Sequence, residues 1–331
     1  MPLLTPADEQ FYHQLPEPLL SMATYHQHWR ESYFFALHPR TAGGDALFIT
    51  MAHFPAREEM DSLFLGRVGG ELLFNRFARP YAGDPHTTVV GPVHIDVVEP
   101  FREIRLEADP SASPLGFDLA FRARTAPYAL RRGTMKAGHE VIWDQSHMFQ
   151  AGVYDGSYTW KGVTHPVEGW WGQRDHSWGI REHRRCPYWM WVAIQFEDGM
   201  LGVWHWEYAN GARVFSDGCW APADGSDPVP AVDFRHDLQW IGADGAPISY
   251  GRDGEGVAGV AGRVAFTLEG GRTVDVEVSG RWAGPYGPVG GGLNLVWARA
   301  ADGREGPAIV EITGAHHHRM FPIARAENLP K

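Results

Sequence analysis

The sequence predicts a mostly β protein, and three observations predict it. Beyond one N-terminal stretch, sustained helical periodicity is scarce. Thirty-nine glycines and 24 prolines interrupt short runs of β-branched and aromatic residues at the spacing of all-β domains. Paired glycines or Asp-Gly steps fall between several of these runs, where antiparallel hairpins turn.

Taken in order, Thr5-Pro6-Ala7-Asp8 reads as a helix start, with an N-cap hydroxyl, proline in the first turn and an early acid. A short helix to about Leu15 is expected, stopped by Pro16 and Pro18. Gly69-Gly70 turns the first hairpin, and Phe117 to Arg124 alternates as a strand with one buried face. The Gly-, Tyr- and Thr-rich stretch from Gly152 to Gly169 sits midway. It is the expected junction between an N-terminal β-domain, residues 1–160, and a C-terminal β-domain, residues 161–331. Asp198-Gly199 is the expected turn of the next hairpin, with Trp191 facing Trp206 and Val192 facing His205. Gly270-Gly271 and Asp302-Gly303 turn two more. The runs from Asp224 to Pro228 and from Gly251 to Gly262 read as surface loops.

With 331 residues, 44% of them hydrophobic, the chain has ample material for a core. A formal charge of −11 disfavours nucleic acids and anionic membrane surfaces as partners. Two cysteines, Cys186 and Cys219, are too few for a disulfide framework, and no apolar run is long enough to span a membrane. The expectation is a soluble, cytoplasmic protein, compatible with a homodimer.

The densest chemistry lies in Gly172-Gln173-Arg174-Asp175-His176-Ser177-Trp178-Gly179-Ile180-Arg181. Bounded by glycines, it reads as a loop that aims its polar groups. Asp175 and His176 are candidate proton carriers, and Arg174 and Arg181 candidate substrate-orienting groups; the alternative is a structural ion-pair network of Arg174, Asp175 and Arg181. In the hairpin that follows, one face carries Trp189, Trp191, Trp204, Trp206 and Tyr208. The other carries Met190, Val192, Ile194 and Val203, with His205 and Glu207 at its end. The aromatic face reads as the wall of a pocket for a hydrophobic substrate or as a core between sheets or domains.

His316-His317-His318 raises the question of a metal, but strand neighbours point to opposite faces. At most His316 and His318 share a site, with His176 or His205 as third ligand, and no H-E-x-x-H or paired C-x-x-C supports one. No G-x-S-x-G elbow is present, and Gly290-Gly291-Gly292 lacks the lysine of a phosphate loop. No cofactor is expected.

Arg174-Asp175-His176-Ser177-Trp178-Gly179 resembles the Asp-His-x-aromatic-Gly motif of the carotenoid 1,2-hydratase (hydroxyneurosporene synthase)-like and AttH-like proteins. The resemblance implies two lipocalin-like antiparallel β-barrels in tandem. It carries Asp175 and His176 over as the motif's acid and imidazole, and Trp178 as its aromatic. It also implies a cofactor-independent lyase or isomerase that hydrates, dehydrates or cyclises an isoprenoid-like or aromatic alkene by proton transfer. A non-catalytic carrier of a hydrophobic ligand, or a histidine-ligated metal hydrolase, stands as the alternative.

Overall fold

The computed structural model describes residues 4–11, 26–80, 87–251, 254–285, 290–314 and 318–321. Among them, regular structure is two antiparallel sheets, of twelve and nine strands, with two short 3-10 turns at Pro6–Glu9 and Pro55–Arg57. Each sheet curls into a closed or nearly closed barrel, as the sequence led us to expect. No described helix is long and apolar enough to cross a membrane.

The chain divides into two compact units. One comprises Met1–Arg40, Asp45–Gly133 and Trp143–Arg181; the other comprises Thr41–Gly44, Thr134–Ile142 and Glu182–Lys331. The motif strand therefore lies in the first unit, whereas a boundary at 160/161 had put it in the second. The Gly-rich midpoint is a hairpin tip rather than a linker. Strands Glu140–Trp160 and Val163–Arg181 pair along nearly their whole length and turn at Lys161-Gly162, both with positive φ.

In the first unit, Val163–Arg181 lies between Trp29–His38 and Glu140–Trp160, and the sheet continues outward from each. The Arg79 guanidinium reaches across the remaining gap, donating to the carbonyls of Val89 and Thr87 at 2.7 Å each. Tyr33, Phe35, Ile49, Met51, Phe64, Phe121 and Tyr154 fill the interior. In place of the expected helix to Leu15, the N-terminus makes one 3-10 turn. Thr5 and Asp8 cap it reciprocally, and the turn ends where Phe11 stacks on Tyr33 at 4.2 Å. The rest of that predicted helix lies outside the described residues.

In the second unit, pairing of Val229–His236 with Gly259–Leu268 closes the ring around Met190, Val192, Ile194, Val203, Phe234, Phe266 and Val310. The tryptophan hairpin turns one residue earlier than expected, at Glu197-Asp198, so Phe196 faces Gly199 and Trp191 faces Trp204 rather than Trp206. This moves the register by two residues. An even shift keeps every side chain on its predicted face, because side chains alternate with period two.

Candidate active site

The segment from Gly172 to Arg181 is not a loop. It is the end of strand Val163–Arg181, bonded on one side to Trp29–His38 and on the other to Glu140–Trp160. The glycines serve close packing instead of loop freedom. Gly152 and Gly172 face each other across two strands; a Cβ on Gly152 would enter the Phe121 ring, and one on Gly172 would strike the Ala36 carbonyl oxygen. Strand alternation then splits the motif. Arg174 and His176, paired with Phe35 and Tyr33 of the core, enter the barrel, while Gln173, Asp175, Ser177 and Arg181 take the opposite face. The expected network of Arg174, Asp175 and Arg181 is accordingly not formed.

Inside the barrel, Arg174 is fully buried. Its Nη1 donates to Glu9 Oε1 at 2.6 Å, and its Nη2 and Nε donate to Gln150 Oε1 at 2.9 and 3.3 Å. Its guanidinium lies near the rings of Phe101 and Phe121, at 5.9 and 5.8 Å. The other Glu9 oxygen accepts the Phe101 N–H at 3.1 Å, and the Gln150 amide donates to the Phe101 and Thr125 carbonyls. Arg174 thus spends its charge on Glu9, not on a substrate.

His176 places Nδ1 2.8 Å from the Asp8 carbonyl, which only accepts, so Nδ1 carries a proton. Its Nε2 lies 3.2 Å from Glu31 Oε1. Tyr33 and Trp178 pack on the imidazole at 4.6 and 5.4 Å. Tyr33 also donates its hydroxyl to the Glu9 carbonyl. Together these groups hold the N-terminal turn inside the barrel.

The opposite face is chemically different. Asp175 lies between Phe34 and Phe149 in the sheet register, with Oδ1 3.2 Å from His147 Nε2. Burial pushes the His147 pKa down, Asp175 works against that, and Arg181 and His176 add to it. Ser177 accepts a hydrogen bond from Arg181 Nη2, and its Oγ is 3.4 Å from that of Ser32. The Arg181 guanidinium sits 5.9 Å from the centre of the Trp143 ring. On the same face, Gln145 and Gln173 are 2% and 1% exposed, and no protein group partners either end of their amides.

His147 and Gln145 escaped the sequence analysis. Their one signal was a pair of polar residues at alternate positions between Trp143 and Phe149, and only strand register shows that they meet the motif.

The remaining predicted site residues belong to the second unit. Trp189, Trp191, Trp204 and Trp206 share the strand face opposite that barrel's interior and are buried. Tyr208, expected in their wall, lies past the strand end and is exposed. His205 and Glu207 point into the second barrel, where they meet His236 and His318. His205 and His318 each contact Glu207, His176 belongs to the first unit's cluster, and His316 lies outside the described residues.

A protein-family model described as a family of unknown function, DUF8625, matches residues 4–282. No curated protein matches the chain. Among solved structures, a protein provisionally described as AttH from Nitrosomonas europaea is 14% identical with a TM-score of 0.62, covering 91% of this chain and 99% of its own. Kievitone hydratase from Nectria haematococca is 12% identical with a TM-score of 0.54, covering 86% and 89%. CghA, solved with Sch210972, is 10% identical with a TM-score of 0.56, covering 87% and 89%. What the chain shares with them is the tandem lipocalin-like fold.

Proposed function

Since the chain belongs to the DUF8625 family, whose function is unknown, its activity must be argued from the site, and we propose a lyase or isomerase that moves a proton on a hydrophobic alkene carrying a polar substituent. The observation that carries the reading is the pair of unpartnered, buried amides of Gln145 and Gln173 beside the Asp175–His147 contact. A buried amide without partners costs about 1–3 kcal/mol, a cost relieved when a ligand supplies the missing partners. A phenol, hydroxyl or carboxylate is the chemistry that an unpartnered amide such as that of Gln173, beside Asp175, or that of Gln145, beside His147, would recognise. Phe34 and Phe149 offer aromatic faces beside Asp175, where a developing carbocation would sit.

In this reading His147 and Asp175 act as one acid–base pair. The proton-loaded pair protonates an alkene carbon, the π electrons form the new C–H bond, and the cation left behind takes water. That water returns a proton to the pair. Dehydration is the reverse, and cyclisation replaces water with an internal nucleophile. Arg174 and His176 act from within the barrel as positioning groups for the strand that bears Asp175. That kievitone hydratase shares the fold is consistent with this chemistry.

The test is a panel of isoprenoid and aromatic alkenes bearing a phenol or carboxylate, incubated in 18O-labelled water and followed by mass spectrometry. Label enters the product with the wild type, and folded Asp175→Asn and His147→Gln each lose about 10²–10⁴-fold in kcat/KM. Wild-type turnover in both variants would falsify the assignment. A second reading is a non-catalytic carrier, since lipocalin-like barrels bind hydrophobic ligands without chemistry. It prevails if a co-purifying hydrophobic ligand is released chemically unchanged and no alkene is turned over.

A further inference from the structure

His205 and Glu207 stand two apart on strand Gly199–Glu207, so both project into the second barrel on the same face as Val203 and Leu201. His236 ends strand Val229–His236 and reaches the same point. The Nε2 atoms of His205 and His236 lie 3.1 and 3.2 Å from one carboxylate oxygen, Glu207 Oε1. Donor atoms of the three residues all lie within 4.8 Å of one another. Ligands at about 2.1 Å from a shared ion stand roughly 3.0–3.4 Å apart at octahedral to tetrahedral angles, and both imidazole–carboxylate separations already fall in that range.

We propose that His205, His236 and Glu207 bind a divalent transition-metal ion as two imidazoles and one carboxylate, with His318 orienting the carboxylate. This inference is independent of the reading proposed for Asp175 and His147 in the first unit.

His318 plays a different part from the other two imidazoles. Its Nδ1 accepts the Met320 N–H at 3.2 Å, which puts the proton of the neutral ring on Nε2, and that proton goes to Glu207 Oε2 at 2.7 Å. An outer-shell donor of this kind fixes a ligating carboxylate. The Nδ1 atoms of His205 and His236 are buried with no protein partner. Because Glu207 Oε1 only accepts, each Nε2 carries the ring proton in the free protein; binding an ion at Nε2 requires that proton to move to the unengaged Nδ1 or to leave to solvent. Burial disfavours the charged imidazolium of His205 and of His318.

The rings are held in place by packing. Tyr188 stacks on His318 at 4.3 Å, and Phe234 packs on His205 at 5.3 Å. The exposed Arg319 places Nη2 3.8 Å from Glu207 Oε1, so the cluster lies close to solvent-exposed chain. Three protein donors leave coordination positions for water or a small ligand.

The test uses the full chain, stripped with a chelator and titrated with Co2+ by visible absorption and with Zn2+ by calorimetry. One ion per chain is expected, with a Co2+ spectrum of nitrogen and oxygen ligands and a Zn2+-dependent rise in the second unit's Tm. His236→Gln and Glu207→Gln are expected to lose stoichiometric binding. His318→Gln is expected to bind with the same stoichiometry but about 10–100-fold more weakly. Failure of the wild type to take up either ion overturns the proposal even if every variant is unfolded. Binding that survives unchanged in folded His236→Gln overturns the assignment of these residues.

Discussion

Replacing Glu9 with glutamine keeps the side chain's shape but removes the charge that faces Arg174. Both groups are fully buried, 2.6 Å apart, and the other Arg174 hydrogen bonds go to the neutral amide of Gln150, with the Phe101 and Phe121 rings alongside. Losing one partner of such a pair leaves an uncompensated charge in the barrel and costs about 3–5 kcal/mol. For a unit of this size each kcal/mol shifts Tm by roughly 2–4 °C, so Glu9→Gln lowers the first unit's transition by roughly 6–20 °C. Differential scanning calorimetry reads this. The double variant Glu9→Gln with Arg174→Met removes both charges and is expected to be more stable than Glu9→Gln alone. A shift of under about 2 °C for the single variant, or simple additivity in the double, would refute the view that this ion pair clamps the N-terminal turn.

Three further outcomes follow from other contacts. Burial lowers His38 from 6.5 to about 4. The unfolded chain takes up this proton as pH falls below 6.5 while the folded chain resists it, so stability is full above that pH and is lost toward pH 4. The loss is up to about 3 kcal/mol, and denaturation midpoints should show it flattened in His38→Gln. Gly152→Ala forces a methyl into the Phe121 ring and is expected to destabilise the first unit by about 1–3 kcal/mol, which an unchanged melting curve would contradict. Gln173→Leu removes an unpartnered buried amide. It is expected to stabilise the free protein by about 1 kcal/mol while weakening substrate turnover, and a loss of stability would show that the amide is satisfied within the protein.

The sequence by itself determined the all-β class and the faces of the tryptophan hairpin, because each rests on local signals, while the two-barrel plan came from the motif's resemblance. Turn residues set where strands reverse, and alternation assigns faces even when the register moves by two, as it does between Trp191 and Trp204. It also singled out the motif from Arg174 to Arg181 as chemically dense. Only the tertiary structure decided what that density means. The glycines that suggested a loop are there for close packing against Phe121 and Ala36, and the strand they allow sends Arg174 and Asp175 to opposite sides of a sheet. The partners that define each side come from far away in the chain: Glu9 and Glu31 inside, His147 on the other face, and His236 and His318 beside Glu207. Those pairings are set by barrel closure and strand register, which depend on all the strands together and leave no mark in any short stretch of sequence.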